Sequence, residues 1–138
     1  MDERYAIGPV TITIKLSSDE TAGKFALVEY ELPPGFPGPP PHVHPDFDEM
    51  FYVLDGEIRF HRDGDTVDAA AGTSLWCPGS TPHAFSNPSD QPARMLFTLT
   101  PGGFEQFFRD VAEAAERGMP DPGTMAELND RYGVRVVA

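Results

Sequence analysis

The chain is 138 residues long, 40% hydrophobic and 23% charged, which suits one globular core and is too short for two. Ten Lys plus Arg against 22 Asp plus Glu leave a net charge of −12, which argues against a nucleic-acid backbone or an anionic membrane as partner. The lone Cys77 excludes an internal disulfide, and a chain of this size buries enough surface to fold without one. No window approaches the eighteen or so unbroken apolar residues of a membrane span, and Met1 to Arg4 leads into no apolar signal segment. The expectation is a soluble, cytoplasmic protein.

Val10, Ile12, Ile14 and Leu16 alternate with Thr11, Thr13 and Lys15, the period of a strand with one face on a core. A second strand is expected over Phe25 to Leu32. The run from Pro33 to Pro41, six of whose nine residues are proline, cannot donate a ladder of hydrogen bonds and predicts a stiff, extended connection into His42-Val43-His44. Further strands are expected at Met50–Leu54 and Glu57–Arg62, with a hairpin turn at Asp55-Gly56. Asp63-Gly64 signals another hairpin, leading to Thr66–Ala69, and the Gly72 break separates that strand from Thr73–Trp76. Pro82–Phe85 and Arg94–Thr100 complete a set of eight or nine short strands, the pattern of an antiparallel sandwich or barrel.

After Gly103 the period becomes helical. Phe104, Phe107, Phe108, Val111, Ala112 and Ala115 predict an amphipathic helix stopped by Gly118. Thr124 and Glu127 have the form of a capping box opening a second helix, with Met125, Leu128 and Tyr132 on one side and Gly133 at its end. Val134 to Val137 is expected to return as an edge strand. The division is therefore a barrel over residues 1–103 and, over 104–138, a helical extension packed on the same domain.

His42 and His44 project from one face of an extended chain and can reach a common point. By itself such a pair is weak evidence for metal. Glu49 has the opposite parity unless a turn at Pro45-Asp46 intervenes; otherwise Asp46 or Asp48 takes its place. His83 reads either as a further ligand or as a core histidine bonded to a carbonyl. His61 belongs to a solvated hairpin tip. Phe51 and Val53 share the parity of Glu49, and Phe85 that of His83, so these three are expected to wall an apolar substrate pocket over a polar floor. Trp76, Phe47 and the helical Phe104, Phe107 and Phe108 could close its mouth, but a helix merely covering the outside of a sheet is the simpler expectation.

His42-x-His44, four residues, Glu49, six residues and Gly56 resembles the first motif of the cupin superfamily. Gly72, Pro78, His83 and Asn87 resemble the second, with Ser80 where that motif has its inner glycine and Gly79 displaced by one. The resemblance, spanning about Leu32 to Thr100, implies an all-β, jelly-roll-like double-stranded β-helix with a short C-terminal helical extension. It implies one divalent transition metal (Fe, Mn, Ni or Zn) on His42, His44, Glu49 and His83. Small cupins of this kind act on small molecules and tend to be homodimers that exchange N-terminal strands. Three functions follow as expectations. The first is a quercetinase-like dioxygenase on an aromatic or enol substrate, with Glu49 also serving as catalytic base. The second is a non-redox isomerase, epimerase, decarboxylase or cyclase using the metal as Lewis acid. The third is a metal-dependent binding protein without turnover. With only six basic residues before Gly103, a phosphorylated substrate is disfavoured.

Overall fold

The structure, a computed structural model, describes residues 2–116 and 118–137; Met1, Arg117 and Ala138 lie outside the described residues. Ten strands precede the helices: β1 (Glu3–Ile7), β2 (Val10–Leu16), β3 (Ala26–Leu32), β4 (His42–Val43), β5 (Asp48–Asp55), β6 (Glu57–Arg62), β7 (Asp65–Ala70), β8 (Ser74–Cys77), β9 (His83–Ser86) and β10 (Ala93–Thr100). Helices α1 (Glu105–Ala114) and α2 (Pro122–Arg131) follow, and β11 (Arg135–Val136) ends the described chain. The strands form two antiparallel sheets, ordered β1-β2-β3-β10-β5-β8 and β11-β4-β9-β6-β7. Their inner faces enclose one core, the double-stranded β-helix implied above.

Alternation explains which side chains fill that core. Val10, Ile12 and Ile14 of β2, Ala26, Val28 and Leu32 of β3, Phe51 and Val53 of β5, and Met95, Phe97 and Leu99 of β10 are all buried. The β6–β7 hairpin turns at Asp63-Gly64, with Arg62 opposite Asp65. Asp55-Gly56 behaves differently from the hairpin expected there. Strand β5 pairs with β8 and β10, whereas β6 pairs with β7 and β9, so the chain crosses from one sheet to the other. A local turn signal carries no information about which sheet the next strand joins. Strand β1, absent from the expected set, pairs with β2 along its whole length; its alternating exposed residues leave little apolar pattern to read.

The proline-rich connector is held against the barrel. Gly38 has φ 78°, and a Cβ on it would lie 1.7 Å from the Phe85 carbonyl oxygen, so the connector crosses β9 more closely than a side chain permits. Asn87, fully buried, staples the same region: its amide donates to the Pro33 and Gln91 carbonyls, and its oxygen accepts from the Ser89 amide and hydroxyl.

The two helices begin differently: α1 has no side-chain cap, whereas α2 has one. The α2 start lies at Asp121, not at the expected capping box: the Asp121 carboxylate accepts from the Thr124 amide at 2.8 Å, and Pro122 occupies the first helical turn, where no donor is needed. The Asp-Pro pair outcompetes Thr124 for the cap. Helix α1 ends at Ala114, short of Gly118. It is tied to the barrel by two residues one turn apart on the same face. Arg109 donates to both carboxylate oxygens of Glu3 on β1, at 3.0 and 2.8 Å. Glu105, 1% exposed, accepts from the backbone amides of Ser18 and Gly103. The tail adds β11 beside β4, so the helical extension also closes an edge of the five-stranded sheet.

Burial alone would raise the Glu105 pKa, but the two backbone amides outweigh it and hold the carboxyl below its usual range. A lowered folded-state pKa contributes stability at neutral pH that is lost as pH falls through the carboxylate range. Glu105→Gln, which presents an amide donor to one of those N–H groups, is expected to cost about 1–3 kcal/mol at pH 7. Urea unfolding should show the gap between variant and wild type narrowing below about pH 4; a gap that stays constant or widens contradicts the assignment.

Candidate metal centre and chamber

Sheet pairing brings the two histidine segments together. His42 on β4 lies directly opposite His83 on β9, so both rings enter the barrel from the same face. His44 follows β4, and the turn at Pro45-Asp46 resets the parity, so that Glu49 on β5 points inward. One nitrogen from each of His42, His44 and His83 lies within 4.8 Å of the others. Glu49 Oε1 is in contact with His44 Nε2 and lies 3.3 Å from His83 Nε2. His44, Glu49 and His83 are buried, at 2%, 5% and 4% exposure, and His42 is partly open. The alternatives to Glu49 are turned away: Asp46 is exposed, and Asp48 accepts from the Gly79 amide at 2.9 Å. His61 is exposed and bonds Thr66.

Gly79 also explains the displaced glycine. A Cβ on it would lie 2.5 Å from the Phe47 carbonyl oxygen and 2.9 Å from that of His44, so close backbone approach falls at position 79 and Ser80 is free to carry a side chain.

The rings are oriented from outside. His42 Nδ1 faces the Pro40 carbonyl at 2.9 Å and His83 Nδ1 the Thr81 carbonyl at 3.0 Å. A carbonyl only accepts, so each Nδ1 carries a hydrogen and each Nε2 faces inward. His44 is positioned by stacking: its ring lies 4.1 Å from that of Phe47 at 12°, and Phe47 is backed by Phe104. The His44 Nδ1 is buried with no partner among the described residues.

Burial would raise the Glu49 pKa, but hydrogen bonds from His44 and His83 outweigh it and hold the carboxyl at about 2. Burial pulls His42 down to about 4, so its imidazole is neutral at pH 7. The Nε2 atoms of His44 and His83 lie 3.0 Å apart beside that carboxylate; burial would lower the His83 pKa, but hydrogen bonds to Cys77 and Glu49 outweigh it and raise it to about 10, so without a metal a proton supplies the positive charge that this cluster holds. A divalent cation fits this donor set. Imidazole with one carboxylate suits Fe, Mn, Ni and Zn alike.

Above the cluster lies a chamber of about 260 Å³. His42, His44 and Glu49 contribute to its surface, while His83 does not. Its sides are Ile12 and Tyr30 from β2 and β3, Phe97 from β10, and the Pro39-Pro40 connector. The far wall comes from the C-terminal extension: Phe104, Phe107, Phe108 and Val111 around α1, then Met119, Met125, Asn129, Val134 and Val136. The helix face therefore walls the chamber rather than merely covering a sheet. Phe51, Val53 and Phe85 are not among the lining residues; they pack in the core, where Phe51 and Val53 are at most 2% exposed. Parity placed them on the inner face correctly, but the barrel is filled at that depth. Trp76, half exposed on the outer side of β8, does not reach the mouth. Tyr30 was missed, although it shares the parity of Val28 and Leu32. Burial, reinforced by the nearby Glu49 charge, pushes its phenol up, so it stays a neutral hydroxyl.

The family model described as "Cupin domain" matches residues 28–99, and so contains all four converging side chains. The chain belongs to the cupin family. This cupin is 31% identical to quercetin 2,3-dioxygenase of Bacillus subtilis (strain 168) over 114 residues, covering 83% of this chain and 33% of that protein. It is 38% identical over 60 residues to the polyketide synthase CurC of Streptomyces cyaneus, covering 44% of this chain and 39% of that protein. The cupin thus spans well under half the length of the curated relatives it matches. Among solved structures it resembles the polyketide cyclase RemF from Streptomyces resistomycificus, with TM-score 0.63, 24% identity, and coverage of 72% of this chain and 73% of that one. Among the described residues no helix is long and apolar enough to cross a membrane.

His44→Ala is expected to lower the metal content of the purified protein by more than about tenfold, since even outer-shell changes cost 10–100-fold in affinity. His61→Ala should leave it unchanged. Elemental analysis showing equal metal in the two variants would contradict the assigned cluster.

Proposed function

We propose that this cupin is a metal-dependent dioxygenase acting on a small aromatic or enol-bearing substrate. The observation that carries the reading is the placing of three imidazoles and a carboxylate at one end of an aromatic-walled, largely apolar chamber. The similarity to a protein named quercetin 2,3-dioxygenase supports it. His42, His44, Glu49 and His83 would hold the ion, which would supply Lewis acidity and, if redox-active, a path for electrons between an enol and oxygen. Both atoms of O2 enter the product, so no outside reductant is consumed.

The chain's own groups divide the remaining work. Glu49, held deprotonated, can accept the proton of a substrate hydroxyl at Oε1 as that hydroxyl approaches the cluster. The Pro40 and Thr81 carbonyls keep His42 and His83 in the tautomers that point Nε2 inward. Phe104, Phe107 and Phe108 stack flat or edge-on to one another and exclude water from the substrate's rings.

A second reading is a non-redox cyclase, in which the cation polarises a carbonyl and Glu49 removes an adjacent proton. The same apolar walls suit a polycyclic substrate, and the local similarity to a protein named polyketide synthase CurC favours it. Oxygen dependence separates the two. Protein reconstituted in turn with Fe, Mn, Ni and Zn, and given quercetin, is expected to consume oxygen with at least one of the first three; Glu49→Gln should slow that uptake by about 100-fold or more. No uptake by any metal form removes the dioxygenase reading.

A further inference from the structure

The chamber wall is apolar apart from the metal-binding cluster and two other groups. The first is Tyr30, whose ring is clamped among Phe85, Phe97 and Phe108 with centroids 5.4, 4.9 and 5.8 Å away. Its hydroxyl has no hydrogen-bond partner among the described residues. The second is Asn129, on the last turn of α2. Its backbone carbonyl accepts from the Val134 amide at 2.8 Å, which fixes the turn into the tail. Asn129 lines the chamber, and its side-chain amide likewise bonds nothing among the described residues.

An asparagine amide carries two donors and an acceptor, and on the half-buried Asn129 all of them are available to a ligand in the chamber. Nothing in the packing of α2 requires an amide there, since Leu128 supplies the buried contact and Asp121 the cap. No lysine or arginine among the described residues lines the chamber, so away from the metal-binding cluster nothing there neutralises a phosphate or carboxylate on a ligand. We propose that Asn129 is a specificity-determining residue: its side-chain amide binds a hydroxyl or carbonyl on the outer ring of an uncharged aromatic ligand, while the opposite edge of that ligand lies over His42, His44 and Glu49. Tyr30 provides the second grip from the barrel side. The assignment rests on the chamber being the substrate site, and it adds what that site selects: an aromatic molecule with polar groups at two separated positions. One grip belongs to the barrel and one to the extension, so selectivity is built jointly by two parts of the chain.

The test is binding, not turnover. Quercetin and flavonol, the same ring system without the outer hydroxyls, are titrated into the protein as purified, by calorimetry without oxygen. Wild type is expected to bind quercetin about tenfold more tightly than flavonol, the worth of roughly one hydrogen bond. Asn129→Leu should erase that preference and leave flavonol affinity within about twofold, and Asn129→Ala should do the same should leucine disturb the roof. Tyr30→Phe should weaken both ligands if their shared edge is what it holds. Equal loss of both ligands in both Asn129 variants, no loss of either, or a wild type that binds neither overturns the inference. A protein that binds with this preference yet never consumes oxygen loses the dioxygenase reading and keeps this one.

Discussion

The structure turns on an electrostatic demand: His44 Nε2, His83 Nε2 and Glu49 Oε1 are buried within contact of one another, and the carboxylate among them must be matched by a positive charge, a proton or a metal ion. Uncompensated, such a group is costly to bury; with a positive charge at its centre it becomes a strong site. Much of the surrounding architecture serves to hold that arrangement in place. The β4–β9 pairing sets His42 against His83, the turn at Pro45-Asp46 directs Glu49 inward, and the Gly38 crossing carries the connector close enough to β9 for this to happen. Carbonyls of Pro40 and Thr81 then choose the tautomer.

The same cluster couples the extension to the barrel. Phe104 backs Phe47, and Phe47 stacks on His44, so a residue just before α1 helps orient a side chain of the metal site through a single intervening ring. Val136 pairs with His42 in register and also lines the chamber. The extension is therefore both wall and buttress. Glu105 and Arg109 fix α1 to the N-terminal part of the barrel, through Ser18 and Glu3, so that the wall has a rigid foundation. The family scaffold supplies the donors, and this chain's last quarter helps to decide the shape and polarity of what can approach them.

Tyr30 and Asn129 illustrate where side-chain periodicity stops being informative. The alternation of Ala26, Val28, Tyr30 and Leu32 places Tyr30 on the inner face, but whether an inner residue is packed or borders a void depends on what lies opposite. Phe51, Val53 and Phe85 have the same credentials and are sealed in the core. The difference is depth along the barrel, which no two-residue period encodes. Asn129 carried no signal at all: on a helix it is an ordinary polar residue until the fold turns it toward a cavity.

Local chemistry sufficed for most of the elements, whereas the four converging side chains were named by the resemblance to the cupin motifs, local geometry having left Glu49 and His83 open. Alternating apolar residues, Gly and Pro breaks and the helical stripe after Gly103 depend on short-range geometry, as does the spacing of His42, His44 and Glu49, while His83 reaches them only through the β4–β9 pairing. Strand partners were beyond the reach of short-range geometry. That β5 and β6 belong to different sheets, that β1 extends one sheet and β11 edges the other, and that α1 walls the chamber, all follow from contacts between residues far apart in the chain. Such contacts are selected by the packing of whole surfaces and by burying the last exposed apolar faces, and only the assembled molecule has those surfaces to match.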